Sequence, residues 1–294
     1  MAKKYLSRNV NEVITARILD EIAKGTLPWN KPWKSAAGEG PTNAISGKAY
    51  QGLNVFLLNC APYARPYFLT YKQAAAAGGT VRKGEKGSPV IFWKTGEYIK
   101  AGESEATKSF LLRYYTVFNV SQCDGLPADL LPMLPVQDGG THGEVVDAEA
   151  IVSGYQAAPT IQHGGGGAYY RPSHDVVQMP NKADFESLPH YYSTLFHELT
   201  HSTGHSSRLK RAGITDLVHF GSTNYSKEEL IAEMGAAFLC GHANISNAAV
   251  IASSASYLVG WSQRLKSDPS LLVQAASAAT KAVHHIMGTG KVVA

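Results

Sequence analysis

Apolar residues recur at Val13, Ile14, Ile18 and Ile22, the spacing of one helical face, and Gly25 interrupts them. That pattern predicts an amphipathic helix over residues 9–24 with Asn11 as its N-cap. LPWNKPWK (27–34) follows, and its prolines exclude regular helix. Short helical pieces are predicted at 53–58 and 70–77. PVIFWK (89–94) and RYYTVFNV (113–120) are rich in β-branched and aromatic residues and read as strands. The polar run KTGEYIKAGESEATKS between them reads as an exposed excursion joining paired strands.

Periodicity is lost in LPADLLPMLPVQDGGTHGE (126–144), a Pro- and Gly-rich stretch. A linker over 128–145 therefore separates a domain at 1–127 from a domain at 146–294. In the second part, Asp147 caps a helix to about residue 156. GGGGAYYRPSHDVVQMP reads as a glycine-rich turn and a hairpin or two edge strands. Four helices are then predicted, at 188–202, 226–239, 249–266 and 269–287. Asp268-Pro269 supplies an N-cap and an N1 proline for the last. The fold class is α+β in two domains. The front domain mixes helices and strands, and the rear one is mainly helical with a small sheet.

No run of 18 apolar residues occurs, so no membrane-spanning helix is expected. The start MAKKYLSRNVNEV turns polar at once, unlike a signal peptide. Cys60, Cys123 and Cys240 form no CxxC pair, which fits free thiols in a reducing, cytoplasmic setting. The net charge of +4 is unevenly spread. Residues 1–125 hold 17 Lys and Arg against 9 Asp and Glu, and the remainder hold 10 against 14. A basic front joined to an acidic rear points to a polyanionic partner for the front.

Aromatic residues stand beside cations in that front half: Trp29 and Trp33 around Lys31, Tyr50 after Lys48, Tyr71 before Lys72, Trp93 before Lys94. Arg82, Lys83 and Lys86 form a compact basic turn. Single-stranded DNA needs flat side chains for its bases and cations for its phosphates, so these residues are the candidate nucleic-acid contacts. Neither a helix-turn-helix nor a zinc finger is present to read duplex DNA.

The rear half carries His197-Glu-Leu-Thr-His201, an HExxH pentapeptide. On a helix, positions i and i+4 share a face, so both imidazoles can bind one Zn²⁺. Glu198 is then placed as the general base on water. Gly204 fits the longer HExxHxxGxxH pattern, but Ser207 stands where its third histidine belongs, and His205 falls outside the ligand set. The third ligand is sought in SKEELIAEMG, where Glu229 and Glu233 lie one helical turn apart, the gluzincin arrangement. Glu229 is assigned as ligand, with Glu233 accepting the Nδ1–H of a ligand histidine. A Ser226–Glu229 capping box would instead occupy Glu229 and leave Glu233 as the ligand. Zn²⁺ is the default for His₂Glu, and Mn²⁺ or Co²⁺ can use the same ligands. For a second electrophile the candidates are Tyr225, His219, His205 and Tyr169. The AYYRPSHDVVQMP strands offer an edge for an extended peptide.

Taken in order, GTLPWNKPW, NAISGKAYQGLNVFLL, FLTYKQAAAAGGTVRKGEKGSPVIFWK, YYTVFNVSQCDGLP, AYYRPSHDVVQMP, YYSTLFHELTHSTGHSSRL and YSKEELIAEMGAAFLC resemble the ArdC antirestriction family over nearly the whole chain. The resemblance implies a front domain of the kind shared with TraC-like plasmid primases and associated with single-stranded DNA, and a zincin-like metallopeptidase domain behind it. It also implies a plasmid- or phage-borne protein that shields incoming DNA from host restriction. Two roles stand open for the rear domain: cleaving a host restriction-system protein as peptide substrate, or serving only as scaffold. The rival readings are a general zinc metalloprotease acting on a host DNA-processing protein, and a DNA-coating protein whose metal site is structural or vestigial.

Overall fold

The computed structural model describes residues 9–25, 27–30, 40–61, 63, 65–99, 106–131, 142–216, 223–245 and 255–289. Helix α1 (Val10–Ala23) buries Ile14, Ile18 and Ile22. Its cap is Asn9, not Asn11: the Asn9 side chain accepts from the Asn11 N–H, while the helix ends lie within one residue of the predicted 9–24. Strand β1 (Thr42–Asn43), helix α2 (Leu53–Asn59), strand β2 (Tyr67–Thr70) and helix α3 (Tyr71–Ala76) follow. Thr70 and Gln73 close a reciprocal capping box on α3. Then come β3 (Thr80–Val81), β4 (Ser88–Ile99), β5 (Ala106–Asn119) and β6 (Cys123–Asp124). The main sheet has the order β1-β2-β5-β4, and β3 pairs with β6.

Strands β4 and β5 pair from Ser88↔Val117 to Ile99↔Ala106. The predicted polar excursion is therefore largely a two-stranded ribbon. Ladder hydrogen bonds come from the backbone, so polar side chains leave them intact and no apolar signal marks them.

Helix α4 (His142–Gly154) begins five residues before Asp147, inside the predicted linker. The rear sheet comprises β7 (Thr160–His163), β8 (Tyr169–Arg171) and β9 (Val176–Met179) in the order β7-β9-β8. The hairpin β8–β9 is the predicted one, whereas β7, which runs parallel to β9, was not foreseen. Helix α5 (Leu188–Ser202) has the predicted bounds. Helix α6 (Ala212–Thr215) is a single turn, and α7 (Thr223–His242), α8 (Ala255–Ser267) and α9 (Leu271–Met287) complete the fold. Residues 249–254 of the predicted 249–266 helix lie outside the described residues. The start of α9 is two residues later than predicted, because the Asp268 carboxylate accepts from both the N–H and the hydroxyl of Ser270.

Helix α7 packs on α5 and α9, and Gly235 sets how closely. A Cβ there would lie 2.5 Å from Thr200 Cγ2 and 2.6 Å from Thr200 Oγ1. Thr200 is fully buried and its hydroxyl donates to Phe196 O, so it has no room to yield. The largest apolar cluster runs across the predicted domain boundary. Phe56 of α2 stacks on Phe238 of α7 at 4.7 Å, and Trp29 meets Trp261 of α8 edge-on at 6.2 Å. Ile14, Ile18 and Ile22 join the same cluster as Leu272, Ala276 and Val283 of α9. Each large side chain so buried contributes about 1.5–3 kcal/mol relative to leaving it in water.

Candidate metal centre

The N-cap Ser187 accepts from the His190 N–H, and Tyr191, Tyr192, Leu195, Phe196 and Leu199 fix α5 in the core. The remaining face presents His197 and His201, whose Nε2 atoms are 3.1 Å apart. Helix α7 delivers Glu229, with Oε2 3.6 Å from His197 Nε2 and Oε1 3.7 Å from His201 Nε2. Because α7 starts at Thr223, Ser226 lies inside the helix, so it is not an N-cap and forms no capping box with Glu229. Ligand atoms bonded tetrahedrally at about 2.0–2.2 Å stand roughly 3.3–3.6 Å apart. Two imidazoles and a carboxylate at these separations fit one divalent cation, and among the described residues they are the group that could hold one.

Glu198 is buried beside the first histidine. Burial pushes His197 down, but its hydrogen bond to the Glu229 carboxylate and the charges of Glu198, Glu229 and Glu233 outweigh it and raise its pKa.

Glu233 does not meet the Nδ1–H of either ligand histidine. Its Oε2 accepts from Trp29 Nε1 at 2.8 Å. Burial pushes its carboxyl up to about 7, opposed by His197 and by the indoles of Trp29 and Trp261. The carboxylate behind His201 is Glu228, with Oε1 3.3 Å from His201 Nδ1. Arg211 grips that carboxylate with Nη2 at 2.6 Å and Nε at 2.9 Å, and its Nη1 donates to Thr203 Oγ1 at 2.6 Å. Burial raises Glu228, yet Arg211 and His201 together hold it below the usual carboxylate range. Neither Glu228 nor Arg211 was singled out in the sequence. The available signal was the Glu228-Glu229 doublet, whose members project about 100° apart on a helix.

His205 bonds Ser207 at 2.8 Å and lies outside the metal group. Tyr169 is exposed on β8, an edge strand. His219 and the side chain of Tyr225 lie outside the described residues. Arg208 ties the sheet to α5, donating to Ser202 O at 2.7 Å and Tyr170 OH at 3.2 Å, and pairing with Asp175.

The candidate DNA contacts are scattered. Trp29 is 0% exposed, so it cannot stack on a base. Lys31, Trp33 and the side chain of Trp93 lie outside the described residues. Tyr50 is half-buried against a small cluster of Leu58, Phe68, Val90 and Val117. Arg82 is tied to Glu85 at 2.8 Å and Asp124 at 3.2 Å. Lys48, Lys83 and Lys86 are exposed, as is Tyr71 at 58%. Tyr114 and Tyr115 on β5 are also exposed, and Tyr115 stacks on Phe92 at 4.3 Å.

Residues 8–118 match the family described as the N-terminal domain of anti-restriction factor ArdC, and residues 146–278 match the zincin-like metallopeptidase family. The metal-free structure of the antirestriction ArdC protein from R388 plasmid is 36% identical, with a TM-score of 0.76 over 96% of this chain and 97% of that one. The chain belongs to the ArdC antirestriction family. The Mn(II)-bound structure of the same R388 protein matches at 34% identity and a TM-score of 0.72, covering 97% of this chain and 100% of that one. A DNA primase TraC of Escherichia coli is 37% identical over 292 residues, which is 92% of this ArdC-family chain but only 26% of the primase. The uncharacterized protein y4eC of Sinorhizobium fredii is 36% identical, covering 92% of this chain and 89% of that protein. Among the described residues no helix is long and apolar enough to cross a membrane.

Proposed function

We propose that this ArdC-family protein is a cytoplasmic antirestriction factor that binds single-stranded DNA with its front half and hydrolyses peptide bonds with its rear half. The observation that carries the hydrolytic reading is the convergence of His197, His201 and Glu229 beside Glu198. A divalent cation held by those three residues supplies Lewis acidity at a substrate carbonyl. Zn²⁺ suits the donor set, and Mn²⁺ is supported by the Mn(II)-bound relative. The Glu198 carboxylate takes the proton of the attacking water and returns it to the leaving amine. Strand β8, at the edge of its sheet, offers an extended peptide its unpaired backbone. A host restriction-system protein is the substrate class this reading requires.

The DNA reading rests on the excess of cations in residues 1–125 and on exposed Tyr71, Tyr114 and Tyr115, with exposed Arg113 directly before the last two. Glu198→Ala separates the two activities. Metal content and single-strand affinity should match the parent, while peptide hydrolysis falls by about 10²–10⁴-fold. The decisive assay is survival of unmodified DNA transferred into a restricting host. Full protection by Glu198→Ala would show that holding the strand, not cutting a protein, is the protective act.

A further inference from the structure

Glu228 and Glu229 are consecutive, yet they reach opposite ends of one imidazole. Glu229 Oε1 is 3.7 Å from His201 Nε2, and Glu228 Oε1 is 3.3 Å from His201 Nδ1. We propose that Glu228, held by Arg211, is the positioning residue that fixes the His201 ring with its proton on Nδ1, leaving the Nε2 lone pair facing His197 and Glu229. The inference rests on the reading of His201 as a metal ligand.

Three observations support it. A carboxylate can only accept, so a bond between it and Nδ1 puts the proton on Nδ1. The two-pronged grip of Arg211 fixes the plane of the Glu228 carboxylate. It also balances the charge of Glu228 and keeps that carboxylate on the Nδ1 side, outside the group formed by His197, His201 and Glu229. Glu233 faces elsewhere, toward the indoles of Trp29 and Trp261. Arg211 has a second anchor on α5, where Nη2 donates to Thr200 O at 2.8 Å. The segment leaving α5 thus turns back and locks a residue of α7 onto the helix that carries both histidines.

The variant Glu228→Met keeps the length of the side chain but removes the acceptor that Oε1 offers to Nδ1 and to Arg211. Nothing then holds the His201 proton on Nδ1, and it is free to move to Nε2, where the metal has to bind. Long-range ¹H–¹⁵N NMR of the metal-free full chain reads the tautomer, and calorimetric titration with Mn²⁺ reads the affinity. The parent should show His201 protonated on Nδ1. Glu228→Met should show the proton shifted toward Nε2, with Mn²⁺ binding weakened by about 10- to 100-fold. A parent tautomer protonated on Nε2 would overturn the proposal without any variant. Weakened binding with an unchanged tautomer would overturn it as well, since that outcome reflects charge alone, and so would unchanged binding. His201→Ala guards the underlying reading. If that variant binds Mn²⁺ like the parent, the ligand assignment fails, and the positioning role fails with it for that separate reason.

Discussion

The indole of Trp29 fills apolar space with its rings and supplies one donor at its edge, which Glu233 accepts at 2.8 Å. Trp29→Phe keeps a ring in place but removes the donor from a buried carboxyl. At about pH 9, where the Glu233 carboxyl is ionised, urea unfolding should show a loss of about 1.5–3 kcal/mol, the range for a hydrogen bond to a charged group. At Asp175 the backbone is left-handed, with φ of 50°. Asn tolerates that conformation, so Asp175→Asn removes the charge without straining the chain. Although burial raises it, the bonds from Arg208 and Tyr170 hold the Asp175 carboxyl below its ordinary 3.8. Its contribution to stability is therefore fully present above the unfolded value and is lost as pH falls through the lower folded value. The stability gap between parent and Asp175→Asn should be constant near neutrality and close below about pH 4. A gap that persists unchanged into acid would show that the Arg208 pair is not its source.

Helix α5 could be read from sequence at both ends, because Ser187, Pro189 and the apolar spacing of 191–199 all agree on one register. What could not be read was the approach of its neighbour. A glycine in mid-helix normally costs about 1 kcal/mol relative to alanine, so Gly235→Ala looks stabilising from helix propensity alone. Here the added methyl meets buried Thr200 at 2.5 Å, and α7 must move outward, taking Glu229 with it. We expect Gly235→Ala to destabilise the fold by about 1–3 kcal/mol and to weaken metal binding, measured by thermal unfolding and Mn²⁺ titration. A stabilised variant with parent affinity would show that the helices can part without cost. The same limit explains why Glu228 stands where the sequence reading put Glu233, behind a ligand histidine. Periodicity places both on α7, but which partner each meets depends on Arg211 and Trp29, which lie 17 and 204 residues away along the chain. Strand β7 escaped for a different reason. Its four residues TIQH carry one large apolar side chain, and its pairing with β9 is made by the backbone.

Composition and charge alone divide the chain into a basic front and an acidic rear, whereas the apolar interior joins them. Ile14, Trp29 and Phe56 belong to the same cluster as Phe238, Trp261 and Leu272. A fragment comprising 146–294 would expose the surfaces that Phe56 and Trp29 cover and would remove the Trp29 donor from Glu233. We expect that fragment to lack cooperative unfolding and to bind Mn²⁺ more weakly than the full chain, by calorimetry and titration. A fragment that melts sharply and binds metal like the parent would show that the rear half is self-sufficient. The continuous interior also makes the melting curve of the whole chain a common readout for its ligands. A ligand present at a hundred times its dissociation constant adds about 2.7 kcal/mol to whatever folds around it. If the halves melt together, that increment is felt by both. Near the melting temperature, where unfolded chain is populated, the metal should then tighten DNA binding and DNA should tighten metal binding by the same factor, even where the two ligands never touch.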